Sequence, residues 1–292
     1  MNMDWKPELS TYQKTIETAL EGYAGQWPDY GPIREAMAYS LLSGGKRIRP
    51  VLTLAVCRLF GGEEAKALPL ACGLEMMHTS SLIHDDLPCM DDDDLRRGKP
   101  TNHKVYGEDM AVLAGDALII AAFETLADPA LPTDIAARAV NCLAKAAGPA
   151  GMVGGQVLDL LGEGKTLNYE QIETIQKLKT GCMIEAAARL GAIAAGSTPE
   201  QEEAAAAYAR CLGLAFQIRD DMLDVIGDEA TFGKPIGSDE ENEKSTFVSL
   251  LGLEECQKTV EVLTRQAEEY LAPYEGREFL CSLAGSLAVR NK

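Results

Sequence analysis

The sequence predicts an all-α fold, and three observations lead to that prediction. Ala, Leu and Glu are abundant, and these residues lose little side-chain freedom in a helix. Aromatic residues, which strands favour, make up only 6% of the chain. Apolar residues recur at helical spacing, and no segment alternates with period two as a half-buried strand would. We therefore expect a single domain over residues 1–292, built as a bundle of roughly ten or more helices.

Local patterns predict individual helices. The stretch that ends at His84 has helical periodicity, and Pro88 disfavours its continuation. From Asn168 to Leu190, apolar residues form one amphipathic stripe. These observations place one helix directly before the most acidic segment of the chain and another in its middle.

A further helix is predicted to run from Thr198 to Gly227. Thr198, Pro199 and Gln201 have the residue types of an N-cap, the first helical position and the third, as in a capping box. Gly and Pro residues separate the helical segments. The breaks are expected at 44–45, 61–62, 88, 98–100, 128–132, 162–164, 196–199 and 227–245.

Charge and composition exclude several classes of function. The formal net charge of −18 disfavours nucleic acid or an anionic membrane as a partner. No apolar run is long enough to span a bilayer, and the N-terminus lacks the basic and apolar regions of a secretory signal. The eight cysteines are scattered without a C-x-x-C pair, which favours reduced thiols in a cytoplasmic protein.

The first acidic cluster contains six aspartates within ten positions, from Asp85 to Asp94. His78 precedes Asp85 by about two helical turns, so both side chains face nearly the same side. Because Pro88 disfavours further helix, Asp91 is expected to approach from a turn. Such a bend can bring Asp85 and Asp91 around one ion.

The second acidic cluster contains Asp220, Asp221 and Asp224, whose spacing places them on one helix face. A solvated acidic face is the simpler interpretation of either cluster. However, both clusters lie in otherwise apolar helical sequence, where unpaired carboxylates are costly. Mg²⁺ prefers carboxylate, water and phosphate oxygens, whereas zinc would need the His or Cys ligands that are missing here.

Cationic residues accompany both acidic clusters. Arg binds phosphate oxygens in a bidentate way, and Lys supplies a compact positive charge. In so acidic a chain, their grouping beside aspartates and glycines suggests a diphosphate site. The positions are Lys46, Arg47, Arg49, Arg96, Arg97, Lys179, Lys234 and Lys244.

Six stretches together resemble one known family. In chain order they are GGKRIRP, EMMHTSSLIHDDLPCMDDDDLRRGKPTNH, AGD, GGQVLDL, LKTG and FQIRDDMLDVIGDEATFGKPIGSDEENEKST. They resemble the trans-polyprenyl diphosphate synthases, and best the bacterial and plastid-type farnesyl and geranylgeranyl diphosphate synthases. The resemblance covers nearly the whole chain, from about residue 30 to the closing AVRNK. It implies an isoprenoid-synthase helical bundle around a deep central pocket, usually as a homodimer.

The resemblance also implies a reaction, in which isopentenyl diphosphate condenses with dimethylallyl, geranyl or farnesyl diphosphate. The implied cofactor is Mg²⁺, three ions per active site, for which Mn²⁺ can substitute. The implied metal ligands are Asp85, Asp86, Asp91, Asp220, Asp221 and Asp224. The implied ligands of the allylic diphosphate are Arg96, Lys179, Lys234 and Lys244. Those of isopentenyl diphosphate are Lys46, Arg49, His78 and Arg97. Thr180 and Gln217 would face the reacting carbons.

Product length is where the chain departs from relatives that stop at farnesyl diphosphate. Such relatives commonly carry an aromatic residue five positions before the first aspartate, and here that position is Ser80, followed by Ser81. One helical turn further down lie Met76 and Met77, which are large enough to form the next floor of the pocket. A turn rises about 5.4 Å, roughly one isoprene unit. The sequence therefore favours a geranylgeranyl product, with farnesyl next.

Three other functions fit parts of the pattern. A terpene cyclase also uses an aspartate-rich motif, but it normally lacks GGKRIRP. A non-catalytic subunit of a heteromeric prenyl synthase typically loses one aspartate motif, whereas this chain keeps both. An acidic calcium-binding structural protein would not account for the accompanying cations.

Overall fold

Helices of very different length make up almost all of the regular structure. The structure is a computed structural model and describes residues 5–226 and 245–288. The first helices are α1 (Lys6–Gln26), α2 (Ile33–Leu41), α3 (Ile48–Leu59), α4 (Glu64–Asp85), α5 (Asn102–Tyr106), α6 (Glu108–Leu126) and α7 (Thr133–Ala147). They are followed by α8 (Met152–Gly162), α9 (Tyr169–Gln176), a π-helical turn (Lys177–Gly181), α10 (Cys182–Ala195) and α11 (Pro199–Ile226). The last are α12 (Phe247–Leu251), α13 (Leu253–Leu271) and α14 (Glu278–Ala288). The all-α prediction is confirmed.

One short hairpin is the exception to helix within the described residues. Its strands are β1 (Leu95–Arg96) and β2 (Lys99–Pro100), which pair antiparallel. Arg97 and Gly98, between them, both have positive φ, 55° and 74°. Positive φ at both central residues is the geometry of a type I′ turn, whose twist matches that of a two-strand ribbon.

The predicted start of α11 is confirmed in detail. The Thr198 Oγ1 atom accepts a hydrogen bond from the Gln201 amide, and the Gln201 side chain accepts one from the Thr198 amide. The helix is described as far as Ile226, the last residue before the gap in the described residues. α11 is therefore a continuous support of 28 residues for the second acidic cluster.

The predicted stripe from Asn168 to Leu190 is helical, but it is not one α-helix. α9 begins with a capping box between Asn168 and Gln171, and the π-helical turn then separates it from α10. The extra residue of a π-turn shifts the helix face, which explains why the apolar positions Leu178 and Met183 are five residues apart.

α4 lies at the centre of the bundle and packs against α3, α6 and α10. A Cβ atom on Gly73 would lie 2.1 Å from the Leu126 Cδ1 atom and 2.8 Å from the Ala122 carbonyl oxygen. Only glycine permits the backbones of α4 and α6 to come this close. The crossing fixes the position of α4, whose C-terminal end carries the first acidic cluster.

Replacing Gly73 or Gly22 by Ala should change stability in opposite directions. Inside a helix this replacement by itself stabilises by about 1 kcal/mol. At Gly22, on α1, nothing lies within 4 Å of the added methyl group, so Gly22→Ala should raise the free energy of unfolding. At Gly73 the methyl group overlaps α6, and overpacking costs about 1–3 kcal/mol. Urea unfolding measures both; a Gly73→Ala midpoint at or above that of the parent would contradict the close crossing.

Candidate active site

The first acidic cluster forms a tight turn at the end of α4. The helix ends at Asp85, and the chain then folds back, so that the Asp91 amide donates to the Asp85 carbonyl oxygen at 2.9 Å. The next residue, Asp92, donates to the Leu87 carbonyl oxygen and has a φ of 50°. The predicted turn is thus present, and it holds the Asp91 backbone against the last residue of the helix.

The Asp85 carboxylate is half-buried among groups from two other elements. The Gln156 amide of α8 donates to its Oδ1 atom, and the Lys179 Nζ atom lies 4.0 Å from its Oδ2 atom. Lys179 is also 2.7 Å from Asp159 on α8. Burial raises the pKa of Asp85, and Asp91 raises it further, while Lys179 opposes the shift. Negative charge concentrated in this way fits a divalent cation, which would stabilise the ionised carboxylates.

Asp86 has a different environment from Asp85. It is buried, and its Oδ1 atom accepts hydrogen bonds from the Nε and Nη2 atoms of Arg96. The Arg96 Nη2 atom also contacts Asp93 at 2.8 Å. Asp86 therefore fastens the hairpin to the end of α4. Its role as a metal ligand and that of Arg96 as a diphosphate ligand stay predictions.

Arg97 extends away from this acidic turn. Its Nη1 atom donates to the Gly44 carbonyl oxygen and, at 3.3 Å, to the Ser43 hydroxyl. A Cβ atom on Gly45 would lie 2.7 Å from the Arg97 guanidinium carbon, so the absence of a side chain at Gly45 leaves room for this arginine. The two adjacent arginines thus reach two different parts of the site.

A cavity of about 300 Å³ lies beyond Arg97. All four residues predicted for isopentenyl diphosphate line it: Lys46, Arg49, His78 and Arg97. The Arg49 Nη1 atom is 3.2 Å from His78 Nε2, and the buried Arg49 Nε atom has no hydrogen-bond partner within the described structure. Burial lowers the pKa of Arg49 and of His78. A buried, unsatisfied cationic donor is the feature expected where an anion binds.

The π-helical turn presents Lys179 and Thr180. A Cβ atom on Gly155 would lie 2.2 Å from the Lys179 backbone nitrogen, so α8 packs directly on the turn. Gln217 of α11 donates to the Gln176 side chain at 2.7 Å, one residue before the turn. The structure therefore places the predicted residues Lys179, Thr180 and Gln217 where α8, α9 and α11 meet.

The second acidic cluster lies on α11, as predicted. Asp221 and Asp224 are buried, whereas Asp220 is half-buried. The Asp221 Oδ2 atom accepts a hydrogen bond from the Phe247 amide at 2.8 Å, and it therefore satisfies a free donor at the start of α12. Over residues 5–226 and 245–288, no three His, Cys, Asp or Glu side chains are grouped closely enough to hold a metal ion. The predicted ligands Lys234 and Lys244 lie outside the described residues.

The residues predicted to limit product length are buried to different degrees. Ser80 is buried, and its hydroxyl donates to the Met77 carbonyl oxygen at 2.7 Å. Met76 is fully buried and accepts a hydrogen bond from Thr125 on α6. Ser81 is half-buried and lies one turn below Asp85 on the same helix face. Ser81 is therefore the more exposed serine of the pair.

Three site residues escaped the sequence interpretation. Gln156 donates a hydrogen bond to Asp85, and Asp159 accepts one from Lys179. Their spacing of three residues places both on one face of α8, which is a signal that the sequence contains. Glu75 lines the cationic cavity, but a single Glu in an apolar helix gave no indication of a partner. That partner is Arg47, 28 residues away in the chain.

The fold and the site define a class of protein: an all-α isoprenoid-synthase bundle with an acidic turn beside a cationic cavity. A family model described as "Polyprenyl synthetase" matches residues 31–272. The chain belongs to this family.

Curated relatives carry two kinds of names. The chain is 46% identical over 285 residues to a farnesyl diphosphate synthase of Geobacillus stearothermophilus, covering 95% of this chain and 96% of that protein. It is 50% identical over 296 residues to a putative chloroplastic geranylgeranyl pyrophosphate synthase of Arabidopsis thaliana, covering 99% of this chain and 82% of that protein. Sequence identity therefore leaves the product length open.

Solved structures share the fold over nearly the full length. A farnesyl/geranylfarnesyl-type (FPP/GFPP) synthase from Zymomonas mobilis superposes with a TM-score of 0.86 at 38% identity, covering 99% of this chain and all of that one. A geranyltransferase from Legionella pneumophila superposes with a TM-score of 0.87 at 34% identity, covering 97% and 96%.

His78 should remain neutral where an exposed histidine is half protonated. Burial lowers its pKa well below 6.5, and Arg49 and Arg97 lower it further. An unfolded chain binds a proton at His78 near pH ~6.5, so stability is lost as the pH falls below that value. His78→Asn should therefore lose less stability on acidification than the parent, measured by urea unfolding at each pH. A native imidazole resonance of His78 that titrates near its ordinary pKa would contradict this.

Proposed function

We propose that the protein is a Mg²⁺-dependent prenyltransferase that condenses isopentenyl diphosphate with an allylic diphosphate to a short all-trans prenyl diphosphate. The observation that carries this proposal is the adjacency of two charged regions of opposite sign. Arg96 is paired with the acidic turn at the end of α4, and Arg97 lines the cationic cavity. Membership in the polyprenyl synthetase family supports the same reaction.

The residues divide into two groups in this proposal. Asp85 and Asp91, with Asp220 on α11, would hold Mg²⁺ and through it the allylic diphosphate. When bound, Mg²⁺ supplies positive charge that favours breaking of the allylic C–O bond. Lys179, fixed by Asp159, adds a positive charge on the same side. Asp86 supports this group indirectly by orienting Arg96.

The cationic cavity would bind the second substrate. Lys46, Arg49 and Arg97 would hold the diphosphate of isopentenyl diphosphate, with His78 beside Arg49. The allylic C–O bond would break first, which releases diphosphate and leaves an allylic cation. The double bond of isopentenyl diphosphate would then attack this cation and form the new C–C bond. A proton is lost to the departing diphosphate. Holding both substrates in this geometry makes the reaction effectively intramolecular.

We also propose a geranylgeranyl product. The small side chain of Ser81, one turn below Asp85, would leave room for the product tail, and Met77 lies a further turn down on the same face. The product tail would grow downward past Ser81 and end near Met77. Farnesyl diphosphate is the next candidate, which agrees with the two kinds of names among the relatives.

We propose a homodimer formed through α6 and α8, a single domain over the whole chain and a cytoplasmic location. Apolar side chains on these two helices are exposed in the single chain: Val112, Leu113, Ile120, Val153, Val157, Leu158 and Leu161. An exposed apolar surface of this kind marks a protein interface.

None of the described helices is long and apolar enough to cross a membrane. All eight cysteines are unpaired, which supports a reducing compartment.

Release of diphosphate should require both substrates and Mg²⁺. A terpene cyclase would release diphosphate from the allylic substrate alone, and a non-catalytic subunit would release none. Asp85→Asn should lower kcat by about 100-fold or more, because it removes a proposed Mg²⁺ ligand next to the allylic C–O bond that breaks. The assay measures diphosphate release with each substrate alone and with both. Activity with the allylic substrate alone would contradict the proposal.

Ser81→Phe should shorten the product. An aromatic ring one turn below Asp85 would fill the space into which the tail grows, so the variant should stop at farnesyl diphosphate. Mass spectrometry of the products from dimethylallyl and isopentenyl diphosphates measures the change. Ser286→Phe, on α14 and far along the chain from this helix, tests for a general effect of an added ring. A parent enzyme that makes only farnesyl diphosphate would contradict the proposed product length.

Ile120→Glu should dissociate the dimer. The side chain is 68% exposed in the single chain, so a carboxylate there costs the monomer little. Buried in an apolar interface, the same charge would be strongly unfavourable. Light scattering coupled to size-exclusion chromatography measures the mass. Val262→Glu, at an exposed apolar position of α13, is the matched control. An Ile120→Glu protein that stays dimeric would contradict this interface.

A further inference from the structure

Arg47 is the cation of GGKRIRP that has no assigned function. It lies between Lys46 and the first turn of α3 and lines the cationic cavity, and its side chain is fully buried. Its guanidinium donates to Glu17 at 2.7 and 3.2 Å, to Glu75 at 2.7 Å and to the Leu41 carbonyl oxygen at 2.6 Å. Every nitrogen of the guanidinium is thus engaged, by groups from α1, α4 and α2.

The backbone of Arg47 is strained. Its φ of 52° places it in the left-handed region, which is unfavourable for a residue with a Cβ atom. Among the described residues, the non-glycine residues with positive φ are Arg47, Asp92 and Arg97, and all three flank the candidate active site. Strain of this kind persists where the surrounding contacts enforce it, and it is concentrated at functional sites.

Glu75 is the reason that the position of Arg47 matters. Its side chain is 2% exposed, and it is the one carboxylate among the described residues that line the cationic cavity. Burial lowers the pKa of both Arg49 and Arg97, and in each case Glu75 opposes this shift. Glu75 therefore attracts the same two arginines that a diphosphate would bind. A carboxylate so placed competes with an anionic substrate unless another cation neutralises it.

We propose that Arg47 is a positioning residue that sequesters the Glu75 carboxylate, so that Arg49 and Arg97 remain available to the diphosphate of isopentenyl diphosphate. This inference rests on the proposed function of the cationic cavity. Glu17, which is half-buried, completes the arrangement by fixing the other edge of the Arg47 guanidinium. Without Arg47, Glu75 would pair with the substrate-binding arginines.

Replacement of Arg47 by Met tests the proposal, because Met keeps the apolar stem and removes the charge. Arg47→Met should raise KM for isopentenyl diphosphate by about tenfold and leave KM for the allylic substrate nearly unchanged. Adding Glu75→Gln removes the competing carboxylate, so R47M/E75Q should recover most of the lost affinity. The matched control R47M/E17Q removes the other carboxylate partner of Arg47 and should not recover it. Steady-state kinetics with each substrate varied measures all four proteins.

The outcomes separate this inference from the proposed function. If Arg49→Gln in the parent leaves KM for isopentenyl diphosphate unchanged, the assignment of the cavity itself is wrong. If Arg49→Gln raises that KM but Arg47→Met does not, or if both double variants recover equally, sequestration of Glu75 is wrong. Should Arg47→Met fail to fold by circular dichroism, Arg47→Gln removes the charge but keeps polar hydrogen-bonding groups at this buried position. The comparison of R47Q with R47Q/E75Q then makes the same test.

Discussion

The burial of α4 between α3, α6 and α10 is the constraint on which the site depends. The close crossing at Gly73 fixes the helix at its middle, and the side chains beyond it then fall at set heights and faces. Glu75 and His78 face the cationic cavity, Ser81 lies below the acidic turn, and Asp85 ends the helix. One rigid element thus sets the distances among three parts of the site. A shift of α4 would disturb all of them together.

Charge is organised against the overall composition of the chain. A protein with a formal net charge of −18 gathers Lys46, Arg49 and Arg97 around one cavity. Cations in such a group repel one another, and their burial adds a desolvation cost. A bound diphosphate would relieve both effects, and so would Glu75 if Arg47 did not hold it. At the acidic turn at the end of α4 the carboxylates repel one another instead, and a bound metal ion would neutralise their charge.

Sequence patterns predicted the helical fold, the cap at Thr198 and the turn that returns Asp91 to Asp85, because each depends on neighbouring residues. They also grouped Lys46, Arg49, His78 and Arg97, though through family resemblance and not through spacing. They missed the π-helical turn within the stripe from Asn168, although the five-residue spacing of Leu178 and Met183 is what such a turn produces. The contacts of Arg47 with Glu17 and Glu75 could not be predicted, because they join residues about 30 positions apart through tertiary packing.

The hairpin that follows the acidic turn fixes the position of the acidic turn relative to the cationic cavity. Arg96 is fastened to Asp86, and Arg97 to the Gly44 loop, by consecutive positions of one ribbon. Arg96 is the last residue of β1 and Arg97 the first residue of the turn, so a change of register by one residue would move both arginines from these positions. Arg97 and Gly98, both with positive φ, prevent that slip because a type I′ turn fixes the pairing. The hairpin is short, but it places Arg96 at the acidic turn and Arg97 at the cationic cavity.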